Sequence, residues 1–180
     1  HHEDEIAQSE AATGKPFAHY YHELEITTIN EEKMSKSLGN FYTLQDIFQD
    51  YPPLAVRYFS LSTHFRAPLN FTKQALAGAK NSLEKLQQAF FDLKETKIFG
   101  KKTIPIKKYQ QQFEKALDDD LNISPALAAL FELINQLNKN KNQLTKKNIQ
   151  ETISFFKKTD SVLGVLKYKK EKTPQAVLDL

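Results

Sequence analysis

The stretch best equipped for chemistry is Lys33-Met34-Ser35-Lys36-Ser37-Leu38-Gly39-Asn40-Phe41. Two lysines three residues apart sit among small hydroxyl side chains. Ammonium groups on such a loop can follow negative charge as it develops on transferring phosphates, most effectively where water is excluded. Backbone N–H groups at the start of a following helix would add to an anion site. The plainer alternative for a K-x-x-K pair is a solvated turn. A second candidate opens the sequence. His1 and Glu5 are spaced i, i+4, so on a helix they share a face and can point at one ion. Imidazole nitrogen and carboxylate oxygen are both ordinary zinc ligands. A bare His-His at a terminus also reads as a purification-tag remnant.

The elements that must position these groups are legible. Residues 6–12 read as a helix ending near Gly14 and Pro16. Residues 24–29 alternate and are β-branched, which predicts a strand. The order is thus strand, cationic loop, helix. Thr43 is a good N-cap for a helix over Leu44–Asp50, and Tyr51-Pro52-Pro53 ends it. A second helix, 54–61, is crowded with apolar residues and predicted to be buried on most sides. Residues 62–71 read as a loop with extended parts. Its His64, Phe65 and Arg66 suit stacking on RNA and contact with phosphate, or a packed joint between domains. From Thr72, the residues Leu76, Ala79, Leu83, Leu86, Phe90 and Leu93 form one stripe of a long amphipathic helix. The basic stretch 94–108, with Gly100 and Pro105, reads as a domain boundary. Beyond it, Ser124 with Pro125 reads as an N-cap and first helical residue. Leu127, Leu130, Ile134 and Leu137 stripe one helix, and Ile149, Ile153, Phe156, Leu163 and Leu166 another, with an exposed turn over 138–148.

Composition narrows the classes. With 40% hydrophobic and 11% aromatic residues, the 180-residue chain can build a core. The net charge of +3, from 25 basic and 22 acidic residues, fits a nucleic-acid partner without demanding one. Arg57 and Arg66 are the only arginines. Cysteine is absent, which excludes a disulfide or a Cys-based metal site within these residues. No apolar run approaches a membrane span and no signal-peptide pattern opens the sequence, so a cytoplasmic protein that does not contact membranes is expected. The triplet Asp118-Asp119-Asp120 lacks the spaced carboxylates and glycine of a calcium loop.

The lysine stretch resembles the KMSKS signature loop of class I aminoacyl-tRNA synthetases. The opening HHEDEIAQSEAA resembles the HHENEIAQSEA segment of cysteinyl-tRNA synthetases, which likewise lies shortly before the KMSKS loop. The Val56-Arg57-Tyr58-Phe59 run, the Ser62-Thr63-His64-Phe65-Arg66 stretch, and the Asp120-Leu121-Asn122-Ile123-Ser124-Pro125 turn are similar to segments of the same family. The resemblance extends from residue 1 to about 167. It departs before the strand, where the family's Trp-x-His arrangement falls on Tyr21 and Glu23 and a usual glycine on Glu25. The role of the family's histidine is therefore unassigned here.

The resemblance implies a mainly α chain: the end of a class I, Rossmann-type catalytic domain (1–41), a stem-contact-like helical region and linker (42–105), a C-terminal tRNA-binding bundle (106–168) and a charged tail (169–180). It implies a cysteine–tRNA ligase that activates cysteine with ATP, accompanied by Mg2+, and transfers it to tRNA(Cys). Lys33 and Lys36 become the catalytic candidates, and Lys36, Ser35 and Ser37 the ATP contacts. His1 and Glu5 become ligands to one Zn2+ shared with cysteines outside these residues. His64 and Arg66 are candidate RNA contacts, and a monomer is expected. The family's HIGH-type motif and zinc cysteines are not among these residues, so alone the chain is expected to be inactive. Two other readings fit in part: a related ligase joining cysteine to an amino sugar, and a non-catalytic RNA-binding helical module.

Overall fold

The computed structural model describes residues 2–170, apart from 23, 36, 38 and 98. In chain order the elements are α1 (His2–Thr13), β1 (Thr27–Ile29), β2 (Glu32–Lys33), α2 (Leu44–Asp50), α3 (Pro53–Leu61), β3 (Leu69–Phe71), α4 (Lys73–Glu95), α5 (Ile106–Asp118), α6 (Ile123–Lys139) and α7 (Lys146–Leu163). The fold is mainly α, as the sequence predicts. Its small sheet has the order β2-β1-β3. β1 and β3 are parallel, with Thr28 opposite Asn70, and the connection between them runs through α2 and α3. That is the crossover topology parallel strands require.

α4 is the spine. Thr72 caps it by accepting from the Ala75 N–H, and its 23 residues carry the expected stripe, now extended by Ala89 and Phe91. It packs on α3 and also meets α6 and α7. Phe90 is fully buried and stacks on Phe156 of α7, with ring centroids 6.1 Å apart. Burying one such side chain stabilises the fold by about 1.5–3 kcal/mol. A single apolar cluster runs from Ile29 in the sheet to Leu166 beyond α7.

Four details differ from the sequence reading. The strand expected over 24–29 is shorter, and β2 follows it through a hairpin. Asn30 and Glu31, at φ 50° and 71°, form a two-residue turn of the kind that matches strand twist. α6 begins at Ile123 rather than after Ser124, because the chain leaves α5 through Asp120 and Leu121, both at φ 54°, and Ile123 turns straight into the core. The turn over 138–148 is not wholly exposed, since Asn140, Leu144 and Asn148 are buried. The stretch from Gly100 to Ile104 is tied down: Gly100 N–H donates to Leu144, Lys102 N–H to Gln143, and Thr145 N–H to Lys102. The Asn148 amide both accepts from the Ile104 N–H and donates to its carbonyl, at 2.9 Å each.

Candidate functional site

The lysine loop grows out of the sheet's free edge. β2 pairs with β1 on one side only, placing Lys33 opposite Thr28. The Met34 N–H continues the ladder to Thr27 at 3.3 Å, and the Met34 side chain packs on the core. Alternation along an extended chain then turns the Lys33 carbonyl and the Ser35 N–H toward the free edge. The Asn40 side chain meets both. Its Oδ1 accepts from the Ser35 N–H at 2.9 Å, and its Nδ2 donates to the Lys33 carbonyl at 3.1 Å. Gly39, at φ +69°, makes the reversal that brings Asn40 back. Within the loop the hydroxyls of Ser35 and Ser37 are 2.6 Å apart. Lys33 and Ser37 are exposed and Ser35 is half-buried, while Lys36 lies outside the described residues.

The hairpin is braced from β3. The Asn70 Oδ1 accepts from the Glu31 N–H at 3.1 Å and from the Thr28 hydroxyl at 3.3 Å. The first turn of α2, expected to add N–H groups to an anion site, carries an acid of its own. Asp46 and Thr43 form a reciprocal capping box, and the Thr43 hydroxyl and N–H hold the Asp46 carboxyl below its ordinary range.

His64 and Arg66 lie in the loop between α3 and β3, against the turn joining α5 and α6. Arg66 donates through Nε and Nη2 to the two carboxylate oxygens of Asp120, at 2.6 and 3.2 Å. That bond holds the Asp120 carboxyl below its ordinary range and the guanidinium above its own. The Arg66 N–H donates to His64 Nδ1 at 3.2 Å, so His64 carries its proton on Nε2, which faces the Asp120 carbonyl at 3.0 Å. Phe65 is enclosed: the His64 ring stacks on it, the His22 ring meets it edge-on, and the Arg66 guanidinium lies 4.8 Å from its centroid. The cluster is a joint between the sheet side and the helical bundle.

Glu5 sits on α1, which buries no residue. His2 Nδ1 lies 4.0 Å from the Glu5 carboxylate, and both side chains are largely exposed. His1 lies outside the described residues. Among the described residues no three His, Cys, Asp or Glu side chains converge as a metal site. Glu5 and His2 offer two donors where tetrahedral zinc takes four, so the described residues do not complete such a site. A groove of about 730 Å3 lies between α5 and α6, lined by Gln112, Asp119 and Glu132 among others, and includes no residue of the lysine loop.

Sequence reasoning missed Asn40, Asn70 and Asp120. The signal for Asn40 was its place one residue after the loop's glycine. Asn70 and Asp120 act 42 and 54 residues away from Thr28 and Arg66, a separation that periodicity does not reveal.

Residues 1–81 match the family described as "tRNA synthetases class I (C) catalytic domain", and residues 112–167 match the DALR domain family. The class I catalytic-domain match thus takes in the lysine loop and the sheet that carries it, and the DALR match falls on the helical bundle. The curated relatives it is similar to are cysteine–tRNA ligases. It is 43% identical over 161 residues to that of Legionella pneumophila (strain Corby), covering 88% of this chain and 35% of the relative. It is 40% identical over 176 residues to that of Protochlamydia amoebophila, covering 94% and 37%. It is 38% identical over 191 residues to that of Caldicellulosiruptor saccharolyticus, covering 100% and 41%. The chain thus spans 35–41% of the length of these relatives. In fold it is similar to a crystal structure of Agrobacterium radiobacter K84 agnB2 LeuRS in a ternary complex with tRNA and LeuAMS. The TM-score is 0.58 at 16% identity, over 84% of this chain and 21% of that one. No helix among the described residues is long and apolar enough to cross a membrane.

Proposed function

We propose that the chain is part of a cysteine–tRNA ligase and supplies its lysine loop. The observation that carries the reading is that loop: a KMSKS sequence mounted on a braced hairpin, within the residues that match the class I catalytic-domain family. The ligase joins the cysteine carboxylate to the α-phosphorus of ATP with loss of pyrophosphate. A tRNA(Cys) terminal ribose hydroxyl then attacks the activated carbonyl and AMP leaves. Negative charge grows on the phosphate oxygens in the first step. The Lys36 ammonium stabilises it, and Lys33, Ser35 and Ser37 shape the loop against ATP and its Mg2+.

His1 and Glu5 are the zinc ligands this chain contributes, with the remaining donors supplied by cysteines outside these residues. Bound zinc would give the substrate thiolate a soft partner and so favour cysteine over serine. Residues 1–41 end the catalytic domain, 42–105 form the stem-contact region and linker, 106–168 the tRNA-binding bundle and 169–180 the tail. His64 and Arg66 stand on the RNA side. The protein acts as a cytoplasmic monomer.

The test is cysteine-dependent ATP–pyrophosphate exchange, together with charging of tRNA(Cys), by the intact ligase. Both activities with cysteine, and neither with serine, are expected. Exchange with cysteine but transfer only to an amino sugar would overturn the tRNA assignment. No exchange with cysteine would overturn the ligase reading altogether.

A further inference from the structure

We propose that Asn40 is a positioning residue for the lysine loop, acting as a one-residue surrogate strand that fixes how the loop leaves the sheet. The proposal rests on the assignment of the loop to nucleotide phosphates.

β2 is an edge strand, so the groups on its outer side have no ladder partner. The Lys33 carbonyl and Ser35 N–H are the acceptor and donor that a neighbouring strand would engage. The Asn40 amide offers the matching donor and acceptor, at 3.1 and 2.9 Å. It thereby joins the loop's end to its beginning, closing residues 33–40 into a ring that contains Lys36. With Met34 held on the inner side by Thr27, the base of the loop is gripped from both edges. Among the described residues nothing lies within 4 Å of where a Gly39 Cβ would stand, so that glycine serves the reversal and not a close approach. An ammonium group stabilises a transition state only when held where charge develops, and a displacement near 1 Å costs on the order of 100-fold in rate.

Asn40 acts through the loop's lysine, so a double-mutant cycle with Lys36→Ala in the intact ligase is the test. Asn40→Ala is expected to slow single-turnover adenylate formation by roughly 10- to 100-fold and to leave the KM for cysteine unchanged. In the Lys36→Ala background the same substitution should add little further loss. Asn40→Asp retains the acceptor for Ser35 but sets an oxygen against the Lys33 carbonyl, so it should be as slow as Asn40→Ala. It also provides the test should Asn40→Ala fold poorly. Full activity in Asn40→Asp, or losses that multiply across the cycle, would overturn the proposal. If Lys36→Ala itself leaves activation unchanged, the phosphate reading of the loop fails instead. If Lys36→Ala is slow and both Asn40 variants are fast, only the positioning role fails.

Discussion

Arg66 grips both carboxylate oxygens of Asp120, 54 residues further along, through Nε at 2.6 Å and Nη2 at 3.2 Å. The other arginine does a parallel job. Arg57 Nε donates to the Leu163 carbonyl at 2.7 Å, at the end of α7. The chain's only two arginines, against 23 lysines, thus both tie the region around α3 to the helical bundle. A planar guanidinium can make the two-pronged bond to a carboxylate that an ammonium cannot. Arg66→Lys is therefore expected to loosen the joint almost as much as Arg66→Ala, read as faster hydrogen exchange over residues 119–122. Protection retained in Arg66→Lys would show that charge alone suffices.

The same pair sets a pH dependence. The hydrogen bond from Arg66 holds the folded Asp120 carboxyl below the ordinary aspartate value of 3.8. Its contribution is complete above that value and is lost as pH falls through the lowered folded value. The Tm difference between the unaltered chain and Asp120→Asn should therefore be present at pH 7 and shrink progressively below about pH 4. Both groups are substantially exposed, so 1 M salt should shrink it too. A Tm difference constant from pH 7 to pH 2 would contradict the assignment.

Gly164 ends α7 in the left-handed region at φ +62°, and a Cβ there would stand 3.1 Å from Arg57 Nη2. Gly164→Ala should cost about 1–2 kcal/mol from the backbone alone. Its effect should be smaller in an Arg57→Ala background, where the crowding is relieved. Urea unfolding of the four variants measures both, and equal costs in the two backgrounds would remove Arg57 from the account.

Local chemistry was legible where one residue's signal sufficed. Thr43, Thr72 and the apolar stripe of α4 stand where the sequence places them. The hairpin was missed because its turn is Asn-Glu rather than Asn-Gly, with Glu31 held at positive φ. The bracing Asn70 bond to its backbone spans 39 residues. The stretch around Gly100 reads as a boundary because lysine, glycine and proline are loop residues. Its backbone partners, Gln143, Leu144 and Asn148, lie more than 40 residues away, beyond the reach of any local pattern. The buried Asn148 amide is a long-range device, and a sequence shows only that an asparagine is present.

Asn148 gives that observation a measurable consequence. It is 3% exposed and satisfies both backbone groups of Ile104. Asn148→Leu would leave the buried Ile104 N–H unpaired, at about 1–3 kcal/mol, while the Ile104 carbonyl keeps the Ile106 N–H at 2.9 Å. Limited proteolysis should spare residues 100–105 of the unaltered chain and cut there in the variant. Cleavage of the unaltered chain at those residues would contradict the tethering.

The central claim is that the lysine loop faces the phosphates of ATP, and single-turnover adenylate formation by the intact ligase carrying Lys36→Ala tests it most directly. The account predicts a loss of roughly 100- to 1000-fold, as when one preorganised donor to a charged transition state is removed, with cysteine binding little changed. Adenylate formation at the unaltered rate in Lys36→Ala would contradict it.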